Sequence, residues 1–231
     1  MTATLFSLQA GEETLVGDTL GPADALQALF LHGAGNSQRQ RQRQLREELA
    51  QQGFGSIAFD FSGHGDSSAH APASLEKRLQ QARQVLQQFA GCNQLRTLVG
   101  TSMSGEIAIR LACAATSQIE HLVLIVAAIY DRSAFSLPFG PAFSAAIRRP
   151  YSWRSAEVLD LIGCYRGSLT LIRANDDKVI PAEIALMLAR AAGAARQVRI
   201  IDLPGDHRVS EKMAHDNALR QRIGAAITQQ D

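Results

Sequence analysis

Eight short apolar runs, most of them separated by longer stretches with helical spacing, constrain this chain more than any other feature. They are ATLFSL (3–8), TLVGDTL (14–20), ALFLH (28–32), SIAFDF (56–61), RTLVGT (96–101), HLVLIVA (121–127), SLTLIRA (168–174) and QVRIIDL (197–203). Most are near-continuous rather than alternating, the pattern of strands covered on both faces. The first two read as an antiparallel pair at an edge. Between later runs, Leu75, Leu79, Ala82, Leu86 and Phe89 form one stripe along 74–90, and Leu219, Ile223 and Ile227 repeat near the C-terminus, as on amphipathic helices. Strand–helix alternation of this kind requires right-handed crossovers and a mainly parallel sheet. The expected fold is α/β: a mainly parallel, doubly wound sheet of about eight strands with helices on both faces, in one domain over 1–231. The rhythm breaks at 130–165, where Pro138, Pro141, Pro150 and several aromatics suggest a small cap insertion above the strand ends.

Composition narrows the function classes. In 231 residues, 46% are hydrophobic and 19% charged, a balance that supports a packed core rather than disorder. The net charge of +1 lacks the positive excess of a chain built to hold nucleic acid. Cys92, Cys113 and Cys164 cannot all pair and have neither CxxC nor zinc spacing, so reduced thiols of a cytosol are expected. The opening MTATLFSLQAGEETLVGD has no basic-then-apolar leader. The most apolar segment, HLVLIVAAI at 121–129, is too short to span a bilayer. A cytoplasmic protein with no membrane span is therefore expected. In QRQRQRQLR (38–46), Arg39, Arg43 and Arg46 would share one helix face, read as solvated; Arg39 also lies near enough to the preceding turn Gly33-Ala34-Gly35 to meet an anionic substrate.

In parallel sheets reacting groups gather beyond the carboxyl ends of strands. Gly100-Thr101-Ser102-Met103-Ser104-Gly105 lies between the run ending at Gly100 and the helix-like EIAIRLACAA. A serine on so sharp a strand-to-helix turn is thrust out of the sheet, needs small neighbours, and faces the positive end of the helix dipole. The plainer reading of Ser102 is a helix N-cap. His32-Gly33-Ala34-Gly35 follows the run ending at His32; Asn175-Asp176-Asp177-Lys178-Val179-Ile180-Pro181 follows SLTLIRA; Pro204-Gly205-Asp206-His207 follows QVRIIDL.

With these four segments the chain resembles the α/β-hydrolase superfamily from about residue 28 onward. The family's elbow is Gly-x-Ser-x-Gly; Gly100 and Ser102 fit, and Ser104 replaces the last glycine. The resemblance implies Ser102 as nucleophile and the amides of Ala34 and Met103 as the oxyanion hole. It implies His207, in a Gly-x-His turn, as general base, and Asp177, four before Pro181, as the acid orienting it. Asp176 is the neighbouring alternative, Asp131 a third, and either Asp176 or Asp177 could instead cap the helix near Pro181. His32 reads as structural in its loop, and His64 as shaping the turn Asp60–Ser67; His70, His121 and His215 carry no motif.

The resemblance implies a serine hydrolase that needs no cofactor: Ser102 attacks a carbonyl, His207 shuttles the proton, and water frees the acyl enzyme. No His/Cys/carboxylate cluster has metal-ligand spacing. Phe61–Ser67 is similar to the small esterases of the family, including those cleaving cinnamoyl and feruloyl esters, so a carboxylic ester of a small acyl substrate is the leading substrate class. Tyr130, Phe135, Phe139, Phe143, Tyr151 and Trp153 either line an apolar pocket or anchor the cap. Thioester and peptide hydrolysis use the same groups, and a non-catalytic binding module on the same fold is the reading from another class.

Overall fold

Each apolar run becomes a strand because alternate side chains find cover on opposite sides. The computed structural model describes residues 2–91 and 95–229; Cys92 lies outside the described residues, and Cys113 and Cys164 are free thiols. The strands are β1 (Thr4–Ala10), β2 (Glu13–Leu20), β3 (Leu26–Leu31), β4 (Gly55–Phe59), β5 (Thr97–Thr101), β6 (His121–Ile125), β7 (Ser168–Ala174) and β8 (Gln197–Leu203). They form one sheet in the order β1-β2-β4-β3-β5-β6-β7-β8. β2 runs antiparallel to β1 and β4, and every other neighbouring pair is parallel. This is the mainly parallel doubly wound sheet with its antiparallel edge.

The helices are α1 (Arg43–Gln51), α2 (Leu75–Gln88), α3 (Ser104–Ala112), α4 (Pro141–Arg148), α5 (Val158–Ile162), α6 (Ala182–Ala191), α7 (Val209–Lys212) and α8 (Asn217–Thr228). Leu29, Leu31, Leu98, Leu122 and Leu169 face α2, α3 and α6. Ala28, Phe30, Val99 and Val123 face the other way, against Leu45 and Leu49 of α1 and Ile223 and Ile227 of α8. Burial on both sides is why the central runs are apolar without alternation. Ser74 caps α2 by accepting from the Lys77 amide at 3.0 Å, and Asp216 caps α8 through the Leu219 amide at 2.9 Å, each filling a vacant donor at a helix start. Among the described residues no helix is long and apolar enough to cross a membrane.

The arginine run is a correction. Arg39 and Arg46 are buried, not solvated. Arg46 donates to Asp18 at 2.7 Å, and Arg39 pairs with Asp18 at 2.9 Å, with Asp60 and with Asp66. Pairing of this kind offsets the cost of taking a guanidinium group out of water. Arg39 is thereby committed to the scaffold beneath the loop that follows β3, not to a substrate.

Between β6 and β7 the segment 130–165 carries α4 and α5. Phe143 is buried, and Phe135, Phe139, Tyr130 and Trp153 pack against the same core cluster, while Tyr151 is exposed. Of the two roles open for these aromatics, anchoring is the one the packing displays.

One buried histidine makes stability pH-dependent. His121 on β6 donates from Nδ1 to the Ile227 carbonyl at 3.2 Å and accepts at Nε2 from Thr170 at 2.9 Å. Burial, the largest cause, lowers its pKa to about 4. Below the ordinary value of 6.5 the unfolded chain takes a proton that the folded chain refuses, so this stability is present above 6.5 and is lost as pH falls towards 4. From pH 6.5 to 5 the loss from this group is about 1.5 kcal/mol. Urea unfolding at both pH values should show a correspondingly shallower fall in His121→Gln than in the native protein; equal falls would refute it.

Candidate active site

Ser102 sits where β5 ends and α3 begins, and the backbone there is tight. A Cβ at Gly100 would stand 2.6 Å from Ala108 Cβ and from the Ser104 carbonyl oxygen, and one at Gly105 would stand 2.5 Å from Ala127 Cβ. Only glycine lets helix and strand approach so closely. Ser102 itself has φ of 52°, a left-handed conformation uncommon outside glycine. It is held there by its amide to the Ile125 carbonyl and by its carbonyl, which accepts from the Gly105 and Ala128 amides, all at 2.9 Å. Such strain costs on the order of 1 kcal/mol, so Ser102→Gly should raise the unfolding free energy by about that much. Denaturant titration checks this, and a destabilised variant would contradict it.

Ser104 fits where the family pattern has glycine because its hydroxyl has a use: it donates to the His32 carbonyl at 2.5 Å. The elbow and the loop after β3 are thus tied together, and a Cβ at Gly33 would stand 3.3 Å from Ser102 Cβ.

The loop after β8 brings His207 to Ser102, and the loop after β7 brings Asp177 to His207. Ser102 Oγ lies 3.0 Å from His207 Nε2, and His207 Nδ1 lies 2.8 Å from Asp177 Oδ2. With Nδ1–H donating to the carboxylate, Nε2 is left to accept from the hydroxyl. The other carboxylate oxygen, Oδ1, accepts from the Val179 and Ile180 amides, both at 2.8 Å. Asp177 therefore serves as turn-former and histidine partner together. Asp176 is exposed. Asp131 is bound to Ser133 and Arg149, away from His207.

Of the remaining candidates, Ala34 lines the cleft over Ser102 and Met103 is the residue that follows Ser102, and among the described residues neither amide donates to a protein acceptor. A cleft of about 370 Å³ opens over Ser102. Gly33–Ser37, Val126 and His207 line it, along with Arg41, Arg208 and Glu211, but no residue of 130–165 does. Arg41 pairs with Glu211 at 2.7 Å across the mouth.

Behind the loop, His32 and His64 hold backbone groups, the structural roles expected of them, and they are joined by Arg78, which no motif marks. His32 donates from Nδ1 to the Gly33 carbonyl at 2.8 Å and accepts at Nε2 from the Phe61 amide at 3.0 Å. His64 donates from Nδ1 to the Ser37 carbonyl at 2.9 Å and accepts at Nε2 from Arg78 Nη2 at 2.7 Å. Burial first, then the nearby Arg78 charge, lowers the pKa of both rings, so both stay neutral. Arg78 falls on the apolar stripe of α2 beside Leu75, Leu79 and Ala82, and a charge on that face was the signal for it.

A family model described as the alpha/beta hydrolase family matches residues 28–203. Among curated proteins, protein phosphatase methylesterase 1 of Candida albicans is 29% identical over 129 residues, a match covering 55% of this chain and 35% of that protein. The chain thus spans only about a third of that relative. Among solved structures, the thioesterase domain of the curacin biosynthetic pathway superposes with a TM-score of 0.73 at 18% identity, covering 99% of this chain and 100% of that one. Est1E of Butyrivibrio proteoclasticus, solved with ferulic acid bound, gives 0.73 at 16% identity over 97% and 96% of the two chains. Likeness at these identities is likeness of fold.

Proposed function

The chain belongs to the alpha/beta hydrolase family, and from that premise we propose that it is a serine hydrolase cleaving a carboxylic ester through an acyl enzyme. The observation that carries this reading is the unbroken line Ser102 Oγ, His207 Nε2, His207 Nδ1, Asp177 Oδ2, with steps of 3.0 and 2.8 Å. In that line His207 takes the Ser102 proton as Oγ attacks the carbonyl carbon, and Asp177 steadies the imidazolium. The carbonyl oxygen, now negative, is held by the Ala34 and Met103 amides and by the positive end of α3. His207 then gives its proton to the leaving alcohol, and water repeats the sequence to release the acid.

Thioester cleavage is the second reading, since a thioester carbonyl would meet the same nucleophile, base and amides. Both readings use the same groups, and a panel of short acyl, long acyl, aryl and thioester substrates separates them. A fluorophosphonate probe tests the chemistry common to both. The native protein should label and Ser102→Ala should not. A folded native protein that fails to label would favour a non-catalytic binding module on this fold.

A further inference from the structure

Arg78 is a buried cation with no anion beside it. It is 1% exposed, and among the described residues no carboxylate lies within ion-pairing distance of its nitrogens. Its Nε has no acceptor. Its Cζ stands 4.7 Å from the centroid of the Phe61 ring and 5.4 Å from that of Phe139, so two aromatic faces stand in for part of the lost hydration. Burial drives its pKa down to about 10, which still leaves it charged at neutral pH. An unneutralised internal charge of this kind is costly, and the scaffold accepts it at a place with a chemical consequence.

That place is the back of the Gly33–Ala34 peptide. Arg78 Nη1 donates to the Gly33 carbonyl at 3.1 Å, and His32 Nδ1 donates to the same oxygen at 2.8 Å. Among the described residues no peptide bond is cis, and in a trans peptide C=O and N–H point in opposite directions across one rigid plane. Two donors gripping the Gly33 oxygen therefore aim the Ala34 N–H away from Arg78 and His32, and Ala34 lines the same cleft as Ser102. Donation to the carbonyl also polarises the same peptide and strengthens its N–H as a donor. Nη2 is occupied by His64, itself fixed to the Ser37 carbonyl, so the guanidinium cannot swing away.

We propose that Arg78 is a positioning residue for the oxyanion hole, holding the Gly33–Ala34 peptide and lending it positive charge that acts on the negative oxygen formed at Ser102. The inference rests on the serine hydrolase reading above. It differs from a merely structural role in what it predicts. Charge delivered to an oxyanion acts in the transition state and not on bound substrate, so kcat and kcat/KM must fall together with KM unchanged.

The test is p-nitrophenyl acetate hydrolysis by native protein, Arg78→Met and Arg78→Lys, each also with Ser102→Ala, alongside affinity for a trifluoromethyl ketone whose adduct carries the oxyanion. Loss of a whole oxyanion donor costs about 100- to 1,000-fold, so loss of its support should cost Arg78→Met about 10- to 100-fold in kcat, with KM within about twofold. Ketone affinity should fall by a similar factor, and Arg78→Lys, which keeps the charge, should recover part of both. If Arg78→Met does not fold, Arg78→Lys and His64→Leu, which frees the guanidinium, must show the same split to a smaller degree. Ser102-dependent turnover with unchanged kcat and ketone affinity in the folded variants would overturn the role of Arg78 alone. A rise in KM without loss of kcat would do the same. No Ser102-dependent turnover in the native protein would overturn the hydrolase reading itself, and the Arg78 proposal with it.

Discussion

Ser102→Ala should abolish turnover of p-nitrophenyl acetate, with kcat falling by at least about 10,000-fold, while the fold is kept. The size of the effect follows from what is removed and what stays. The Ala34 and Met103 amides, the α3 dipole and the cleft are all backbone or remote from the substituted hydroxyl, so a bound ester would still be polarised. What disappears is the hydroxyl that stands 3.0 Å from His207 Nε2, and water bound in its place would have to be oriented without a covalent tether. His207→Ala should lose nearly as much, because a neutral hydroxyl with no base is a poor nucleophile. The double variant should be scarcely worse than either single one, since residues acting as a unit give non-additive losses. Steady-state assays on protein checked by circular dichroism decide it. A folded Ser102→Ala that keeps a tenth of native activity would defeat the proposed chemistry.

The sheet was legible because its signal is physical and local. Runs such as Leu98-Val99 and Leu122-Val123 are apolar at successive positions because one side chain meets α3 or α2 and the next meets α1 or α8. The elbow was legible for a similar reason: Gly100 and Gly105 stand where any Cβ would collide within 2.6 Å, so small residues are forced there. Long-range polar pairing was not legible. Arg39 and Arg46 look like a solvated stripe in sequence, and nothing in 38–46 announces that Asp18 waits on β2 and Asp60 just beyond the end of β4. Periodicity reports which face is apolar, but a buried ion pair imitates a polar face. The support of the Ala34 peptide was hidden in the same way. The elements of that support come from the ends of β3 and β4 and from α2, and only the fold brings His32, His64 and Arg78 within bonding reach. Pairing of Asp177 rather than Asp176 with His207 is a matter of which way each side chain leaves one turn. The Asp177 carboxylate is directed inward because the Val179 and Ile180 amides hold its other oxygen.

That same hold sets the outcome of Asp177→Asn. Two amides donate to Oδ1, and only an oxygen can accept them, so the asparagine carbonyl must occupy that position. Its NH2 group is then turned towards His207 Nδ1, where the carboxylate Oδ2 stood at 2.8 Å. A donor facing Nδ1 demands that this nitrogen accept, and the ring proton moves to Nε2. Nε2–H cannot take the Ser102 proton, so the base is present but in the wrong tautomer. The loss in kcat should be about 10,000-fold, the size found for the equivalent change in a serine protease triad, with no large change in KM or stability. Asp176→Asn, an exposed change one residue away, should stay within about twofold of native activity, as surface substitutions away from a site do. Kinetics of the two variants side by side test the geometry more sharply than removal of either residue. If Asp176→Asn proved the damaging one, or if Asp177→Asn kept activity within tenfold of native, the acid would not be working through His207 and the proton path from Ser102 would need another acceptor.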